Sequence, residues 1–385
     1  MTAVDAVVGP RSGTIPVAGP WITEREVEAV AAAARGSWYE DATVESRAFE
    51  TEFAAAVSRR HAIALPSCTS ALHLALMALG IGPGDEVIIP SFTIISCAAA
   101  VVRAGATPVC VDCDPLTWNM RAADIEARIT AKTRAIMVVH IYGLPVDMDP
   151  VLEIARAHGL QIIEDAAEMH GQTYRGRPCG SFGQISTFSF YPNKHVTTGE
   201  GGMVVVDDPA LAERCRSLRN LCFKKERRFV HDELGWNMRM TNLQAALGLA
   251  QLERLDARVE KKRAIGRRYN QLLAGVGSIE RQPAKTDYAE NIYWVYGMVL
   301  KAGVKADAAG IMQALDKRGV GTRPFFYPMH RQPVLLRRGL FQGLSLPVSE
   351  RIAERGFYIP SGVALSDDEM EYVAQAVTEV LAAHV

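Results

Sequence analysis

No stretch of this 385-residue chain offers the roughly 20 uninterrupted apolar residues that a helix needs to cross a bilayer. Neither charge is in excess: 42 Lys and Arg stand against 43 Asp and Glu, for a formal net charge of −1. That balance argues against a general electrostatic grip on nucleic acid or on an anionic membrane. The opening residues, MTAVDAVVGPRSGTIPVAGP, lack the basic and apolar regions of a secretory signal. The 7 cysteines show no framework of paired spacings, so a reduced, cytoplasmic enzyme is expected. Cys110-x-x-Cys113 has no second pair to complete a metal site, and it lies at a strand end where its two residues face opposite ways. Two packed thiols, and no metal, are expected there. Internal repeats, low-complexity tracts and the phosphate-loop spacing G-x-x-x-x-G-K-[ST] are absent as well.

What is present is ordinary soluble composition, 49% hydrophobic and 22% charged, at a length that suggests about two domains. Short Val/Ile-rich runs alternate with helical patterns: DEVIIPSF, IISCAAAVVRAG and TPVCVD, then RAIMVVHIYG, DPVLEIARAHG and LQIIEDAA. The alternation predicts an α/β architecture with a mostly parallel sheet covered on both faces. ISTFSF and GGMVVVDD are too close together for a helical crossover, so they are expected to adjoin, with Lys194 in their connection. From Met240 the pattern predicts one long helix, MTNLQAALGLAQLERLDARVEKKRAIGRRYNQLLAGV, whose apolar positions fade into charge after Leu255. Beyond it lies a second alternating region that includes the predicted strand NIYWVYGMVL. A large domain over residues 1–256 and a smaller α+β domain over residues 257–385 are expected.

Three local features carry chemistry. In LPSCTSALHLALMALG a strand gives way at once to a helix at Ser67-Cys68-Thr69-Ser70. Small polar residues and free N–H groups at a helix start suit a phosphate, although a plain N-cap has the same composition. In LQIIEDAAEMHG, Glu164 and Asp165 end a buried strand on the edge where open α/β sheets bind ligands. A carboxylate there is costly to desolvate unless it meets a cation, and a protonated pyridine nitrogen is such a cation; capping of the next turn is the alternative. In FSFYPNKHVTTGEGGM, Lys194 is a lone amine ahead of Gly199, Gly201 and Gly202, suited to nucleophilic use when partly buried. Phosphate, ring nitrogen and aldehyde carbon are the three handles of pyridoxal 5′-phosphate, and the three features together specify it.

Three longer stretches, STFSFYPNKHVTTGEGGMVV, NMRMTNLQAALGLAQLE and TRPFFYPMH, occur in order along the chain. In them the chain resembles the DegT/DnrJ/EryC1/StrS sugar aminotransferases, within the fold-type I pyridoxal-phosphate enzymes, from about Ile15 to near the C-terminus. The resemblance implies a large domain with a mostly parallel sheet of seven-stranded type and a smaller α+β domain. It implies that Lys194 binds the cofactor covalently, that Asp165 pairs with the pyridine nitrogen and that Glu168 lies near the ring hydroxyl. Cys68, Thr69 and Ser189 would hold the phosphate, His170 would support the cofactor face, and Ile94 stands where relatives commonly stack an aromatic ring. Asn237 would reach the cofactor phosphate of a partner subunit, which implies a homodimer with shared sites. The loop at Trp38-Tyr39-Glu40-Asp41 is expected near substrate, while Tyr327 and His330 in FYPMH read either as substrate contacts or as a packed turn.

The implied activity is transamination. Glutamate would convert the cofactor to pyridoxamine phosphate, which would pass its amino group to a nucleotide-linked keto-deoxysugar, first of all a 4-keto-6-deoxyhexose. Family branches that carry histidine in place of the lysine are deoxysugar 3-dehydratases, and a non-catalytic regulator of the same fold is a third reading. A cyclitol or a non-nucleotide ketosugar would fit the same cofactor site. The basic run FKKERRF (223–229) reads as a solvated loop or as a contact for the diphosphate of a nucleotide sugar, and His73 reads as structural.

Overall fold

The computed structural model describes residues 13–39 and 42–384. The first 12 residues, on which much of the leader expectation rests, and Glu40 and Asp41 of the expected substrate loop lie outside that range. The chain begins with α1 (Glu24–Gly36), α2 (Val44–Ala56) and β1 (His61–Leu65). It then alternates through α3 (Cys68–Ala78), β2 (Glu86–Pro90), α4 (Ile95–Arg103), β3 (Thr107–Val111), α5 (Ala122–Glu126), β4 (Thr133–Val139), α6 (Met148–His158) and β5 (Gln161–Asp165). A two-stranded ribbon of β6 (Thr173–Tyr174) and β7 (Arg177–Pro178) precedes β8 (Ile185–Ser189), β9 (Gly202–Val206) and α7 (Pro209–Arg219).

One seven-stranded sheet runs in the order β1-β9-β8-β5-β4-β2-β3. Its pairs are parallel except those of β9, which is antiparallel to both β1 and β8. The reversal follows from the short link between β8 and β9, which leaves no room for a helix to carry the chain back. Alternate strand residues serve opposite faces. Ile63, Leu65, Val87, Ile89 and Met137 pack toward α3, α4 and α7, whereas Ala62, Ala64, Ile88, Ile136 and Val138 pack toward α2, α6 and α8 (Asn242–Leu252). Burial on both sides explains why these strands read as unbroken apolar runs.

After α8 come α9 (Leu255–Leu272), β10 (Ile279–Glu280), β11 (Tyr296–Leu300), α10 (Ala308–Asp316) and β12 (Arg323–Pro324). The chain closes with α11 (Pro333–Leu336), α12 (Pro347–Arg355), β13 (Gly356–Ile359) and α13 (Asp367–Ala382). The later strands form a second, antiparallel sheet in the order β10-β11-β13-β12. One side of it packs on Tyr269, Ile311 and Val377. From the other side Val299 and Phe325 join the core of the large sheet, where the Phe325 ring lies 5.1 Å from Trp118 and 4.9 Å from Tyr142. No helix among the described residues is long and apolar enough to cross a membrane.

The single helix expected from Met240 onward is instead two, α8 and α9, with a turn at Glu253–Arg254. The reason lies in a distant segment that local periodicity does not register. Arg258 is buried and spreads its guanidinium over Gln251 O (3.3 Å), Trp21 O (3.1 Å) and Glu26 Oε1 (2.8 Å). Gln251 Nε2 reaches the same Trp21 carbonyl and Glu26 carboxylate, so the turn forms around one buried ion pair. All strands of the large sheet precede this turn and all strands of the small sheet follow it.

Removing one partner of a buried pair leaves the other charge uncompensated, at a typical cost of about 3–5 kcal/mol. Arg258→Met should therefore lower stability by about that much in urea unfolding, and adding Glu26→Gln should recover part of the loss. A loss within about 0.5 kcal/mol, the usual range for surface changes, would show that the pair does not hold the α8–α9 turn.

Candidate active site

The strands of the large sheet, β9 excepted, deliver their C-terminal ends to one edge, and seven of the expected residues meet there. Cys68, Thr69, Ile94, Asp165, Glu168, Ser189 and Lys194 line one cavity of about 320 Å³. At its base β1 ends, Ser67 is extended (φ −165°, ψ 159°), and α3 starts at once. Ser67 Oγ caps Ser70 N (3.1 Å), which leaves the N–H groups at the start of the first turn without partners inside the helix. The hydroxyls of Thr69 and Ser96 lie 2.8 Å apart, and Ser189 closes the ring from the end of β8. β9 can begin against this helix start only because residue 202 is glycine: a Cβ there would lie 2.5 Å from the Ser67 carbonyl and 2.6 Å from Cys68 N. The result is a cradle of N–H and O–H donors at a positive helix end, which suits a phosphate.

Glu164 and Asp165 leave β5 toward opposite faces. Glu164 accepts from His140 Nε2 (3.1 Å), Phe182 N (2.9 Å), Gly183 N (3.2 Å) and Ser186 Oγ (3.1 Å). Burial alone would raise its pKa, but the His140 contact and the turn amides hold it below the ordinary value. Its role is to fasten the 180–183 turn. His140, Glu164 and Cys179 bring possible metal-ligand atoms within 4.8 Å of one another. The polar atoms of His140 and Glu164 are already committed to each other, to Val146 N and to that turn.

Asp165 faces the cavity, 2% exposed. It accepts from Ala167 N (3.1 Å) and Cys97 Sγ (3.4 Å), with Cys68 Sγ 3.9 Å away, and no ion pair to it is formed among the described residues. Burial raises its pKa. A cationic ring nitrogen would supply the missing partner.

Lys194 sits in a turn of the β8–β9 connection, its N–H bonded to Tyr191 O (2.9 Å). Nζ lies 3.7 Å from Glu168 Oε1 and 3.7 Å from the centre of the Trp294 indole. Burial lowers its pKa, against the pull of Glu168 and Asp165, so more of the amine is neutral and nucleophilic. Glu168 also accepts from Tyr142 N (2.6 Å), where the backbone takes a left-handed turn (φ 62°). Burial pushes Glu168 up to about 7 despite the neighbouring ammonium. Phosphate cradle, buried acid and depressed amine are all present at one place, so the donor set fits pyridoxal phosphate.

Other expected residues lie elsewhere. His170 is not on the cavity wall: it stacks at 20° on Phe188 and Phe190 beneath the lysine turn and accepts from Val196 N (3.3 Å). Burial drives its pKa down to about 3, so it is neutral. His330 is a packed latch, with Nδ1 2.6 Å from Ser91 Oγ and Nε2 2.8 Å from Glu350. Tyr327 is 53% exposed and outside the cavity lining, and Asn237 is exposed on a bridge to Asn220. In the basic run Lys224 pairs with Asp232 and Arg228 stacks over Phe223. His73 packs edge-on against Trp236, and Cys110 and Cys113 are buried free thiols.

Sequence reasoning missed Trp294, Phe326, Tyr358 and Asn193, which also line the cavity. NIYWVYGMVL reads as a strand throughout, but β11 starts only at Tyr296, and Trp294 lies ahead of it with its Nε1 bonded to Asn193 O (2.9 Å). No local pattern distinguishes an indole on a strand from one just before it.

A model of the DegT/DnrJ/EryC1/StrS aminotransferase family matches residues 20–378. The chain is 42% identical over 367 residues to GDP-perosamine synthase of Caulobacter vibrioides, covering 95% of this chain and 98% of that one. It is 38% identical over 365 residues to GDP-perosamine synthase of Escherichia coli O157:H7, with the same two coverages. Among solved structures, Spr1654 from Streptococcus pneumoniae in its PMP form superposes with a TM-score of 0.90 at 27% identity, over 96% of this chain and 98% of that one. Its PLP form gives the same score and identity.

Glu168 generates a pH prediction. An unfolded glutamic acid loses its proton near the ordinary value of 4.5, whereas folded Glu168 keeps it to about 7. Between those values the folded state binds more protons, so rising pH costs stability and the full penalty stands above about 7. Glu168→Gln keeps an acceptor for Tyr142 N and removes the titration. Apoprotein melts at pH 5 and pH 8 should show the variant losing about 1–3 kcal/mol less than the parent between the two. Equal losses would mean that Glu168 titrates normally.

Proposed function

The chain belongs to the DegT/DnrJ/EryC1/StrS aminotransferase family and is a pyridoxal-phosphate-dependent sugar aminotransferase; from that premise we propose that it aminates a nucleotide-linked 4-keto-6-deoxyhexose with glutamate as donor. The observation that carries the chemistry is the meeting of Lys194, Asp165 and the α3 start in one cavity. The nucleotide-sugar reading is supported by the two GDP-perosamine synthases, which align along nearly their whole length.

Bound there, pyridoxal phosphate supplies an electron-accepting ring and an aldehyde that takes up the donor's amino group. Thr69, Ser189 and the Cys68 backbone N–H would hold its phosphate, and Asp165 would keep the ring nitrogen protonated. Glu168 would face the ring hydroxyl. Ile94, half exposed at the cavity, would cover a ring face by apolar packing where relatives stack an aromatic. Lys194 Nζ, part neutral, would tether the cofactor and carry the proton taken from the donor's α-carbon. Packing from Trp294, Phe326 and Tyr358 would keep water from that proton. His195, the nearest histidine to the lysine in sequence, is buried with Nδ1 toward His170 O (3.3 Å) and outside the cavity lining, so it lends no support to a dehydratase.

A second copy of the chain is part of this reading. Asn237 faces solvent in one chain, as do Phe229, Leu234 (90% exposed), Trp236, Trp38 and Tyr39. Exposed aromatic and aliphatic side chains at Phe229, Leu234 and Trp236, close in sequence to Asn237, support a homodimer in which Asn237 completes the partner's site. The free thiols support a reducing, cytoplasmic setting.

Mass spectrometry of the purified enzyme with isotopically labelled glutamate and a panel of nucleotide 4-ketosugars should find the label in one aminosugar; transfer to none would contradict the substrate class. Borohydride should fix the cofactor on Lys194, and a label on another lysine after digestion would remove that residue from its role. Mixing Lys194→Ala with Asn237→Ala chains should create heterodimers with one intact and one doubly damaged site. Activity above either parent is expected, and mixed dimers without recovery would overturn the shared site.

A further inference from the structure

We propose that Lys262 is a positioning residue for the Lys194 amine, acting through the main chain of Trp294. The proposal rests on Lys194 as the reacting amine and adds what holds that amine in place.

Lys262 lies on α9 with 3% of its surface exposed, and among the described residues no carboxylate pairs with it. Its Nζ donates to two backbone carbonyls, Trp294 O (2.9 Å) and Ser361 O. Those two residues are not arbitrary neighbours. β11 and β13 pair antiparallel with Tyr296 opposite Ile359 and Gly297 opposite Tyr358, so the next pairs of the ladder would include Trp294 with Ser361. The ladder stops before reaching them. Lys262 stands where the strands part and bonds the carbonyl of each, while Ser361 Oγ accepts from Tyr296 N (3.2 Å). Two turns further along α9, the Tyr269 hydroxyl donates to Pro360 O (2.8 Å).

The parted end is useful to the site. Freed from the ladder, Trp294 lays its indole 3.7 Å from Lys194 Nζ and donates from Nε1 to the carbonyl of Asn193, the residue before the lysine. Tyr358, from the other strand of the same pair, also lines the cavity. Burial pushes the Lys262 pKa down to about 7, and its charge in turn disfavours protonation of the nearby His195. A neutral amine still carries two N–H donors, enough for both carbonyls, so the clamp does not need the charge. A methionine would fill the same volume at less desolvation cost; what only the amine supplies is the two-carbonyl bridge.

The test uses apoprotein first, so that it does not depend on the cofactor. Trace acetylation with acetic anhydride across pH, read by mass spectrometry, gives the titration of Lys194 against exposed Lys132. In Lys262→Met, a looser Trp294 should admit water and raise the Lys194 pKa by at least about half a unit, or about threefold less labelling near pH 8. Lys132 should not change. Trp294→Phe should give a shift of the same sign, and adding Lys262→Met to it should give little more, because both act through one contact. If Lys262→Met does not fold, Lys262→Gln, which keeps an amide donor pair on a shorter stem, should give a smaller shift in the same direction. In the holoenzyme kcat should fall while the KM for glutamate stays within about twofold, since ground-state binding is untouched. An unchanged Lys194 titration in the folded variant, whatever its melting temperature, overturns the proposal. That result would leave borohydride fixation on Lys194 unaffected, so the two claims fail separately.

Discussion

Three ionisable groups, each largely withdrawn from water, share one cavity, and their mutual desolvation is the constraint on which the site depends. Asp165 and Glu168 bring two carboxylates and Lys194 brings one amine. In water each would carry its charge at neutral pH. Burial works against all three, raising both acids and lowering the amine. One cation cannot satisfy two buried anions, so Asp165 is left with a backbone N–H and a thiol and, among the described residues, no ion pair of its own. A cationic ring nitrogen would answer that deficit. The same desolvation leaves part of Lys194 free of its proton, as a nucleophile must be.

Holding these groups in register takes both sheets. The parallel strands set Asp165 and Ser189 at one edge, and the reversal at β9 creates the turn that carries Lys194. The small sheet supplies Trp294 and Tyr358, which close the cavity from the other side, and the Phe325–Trp118–Tyr142 cluster binds the two parts behind it. Tyr142 is in that cluster and also donates its N–H to Glu168. The acid beside the amine is therefore tied to the packing between the sheets.

The features visible in the sequence are the contiguous ones. Apolar runs separated by helical patterns specify the parallel sheet, and the short β8–β9 link specifies both the reversal and the place of Lys194. Ser67-Cys68-Thr69 and Asp165 lie where strand ends put them, so local reading finds them. What escaped depends on residues far apart in the chain. The break between α8 and α9 needs Trp21 and Glu26, and the latch on His330 needs Ser91 and Glu350. The Trp294 carbonyl is bonded by a lysine on α9 that also reaches the loop after β13. Periodicity records which face of an element is apolar, not which remote polar group will meet it.

The proposed function turns on the Lys194 amine as the group that does the chemistry. The most direct measurement is glutamate-dependent amination of the accepted ketosugar by Lys194→His and by the parent, with cofactor occupancy checked separately. Histidine can relay a proton but cannot tether the cofactor. The variant should bind pyridoxamine phosphate yet turn over at least about 10²–10⁴-fold more slowly, the range typical for loss of a general acid–base group. Turnover near the parental rate at full occupancy would contradict the account.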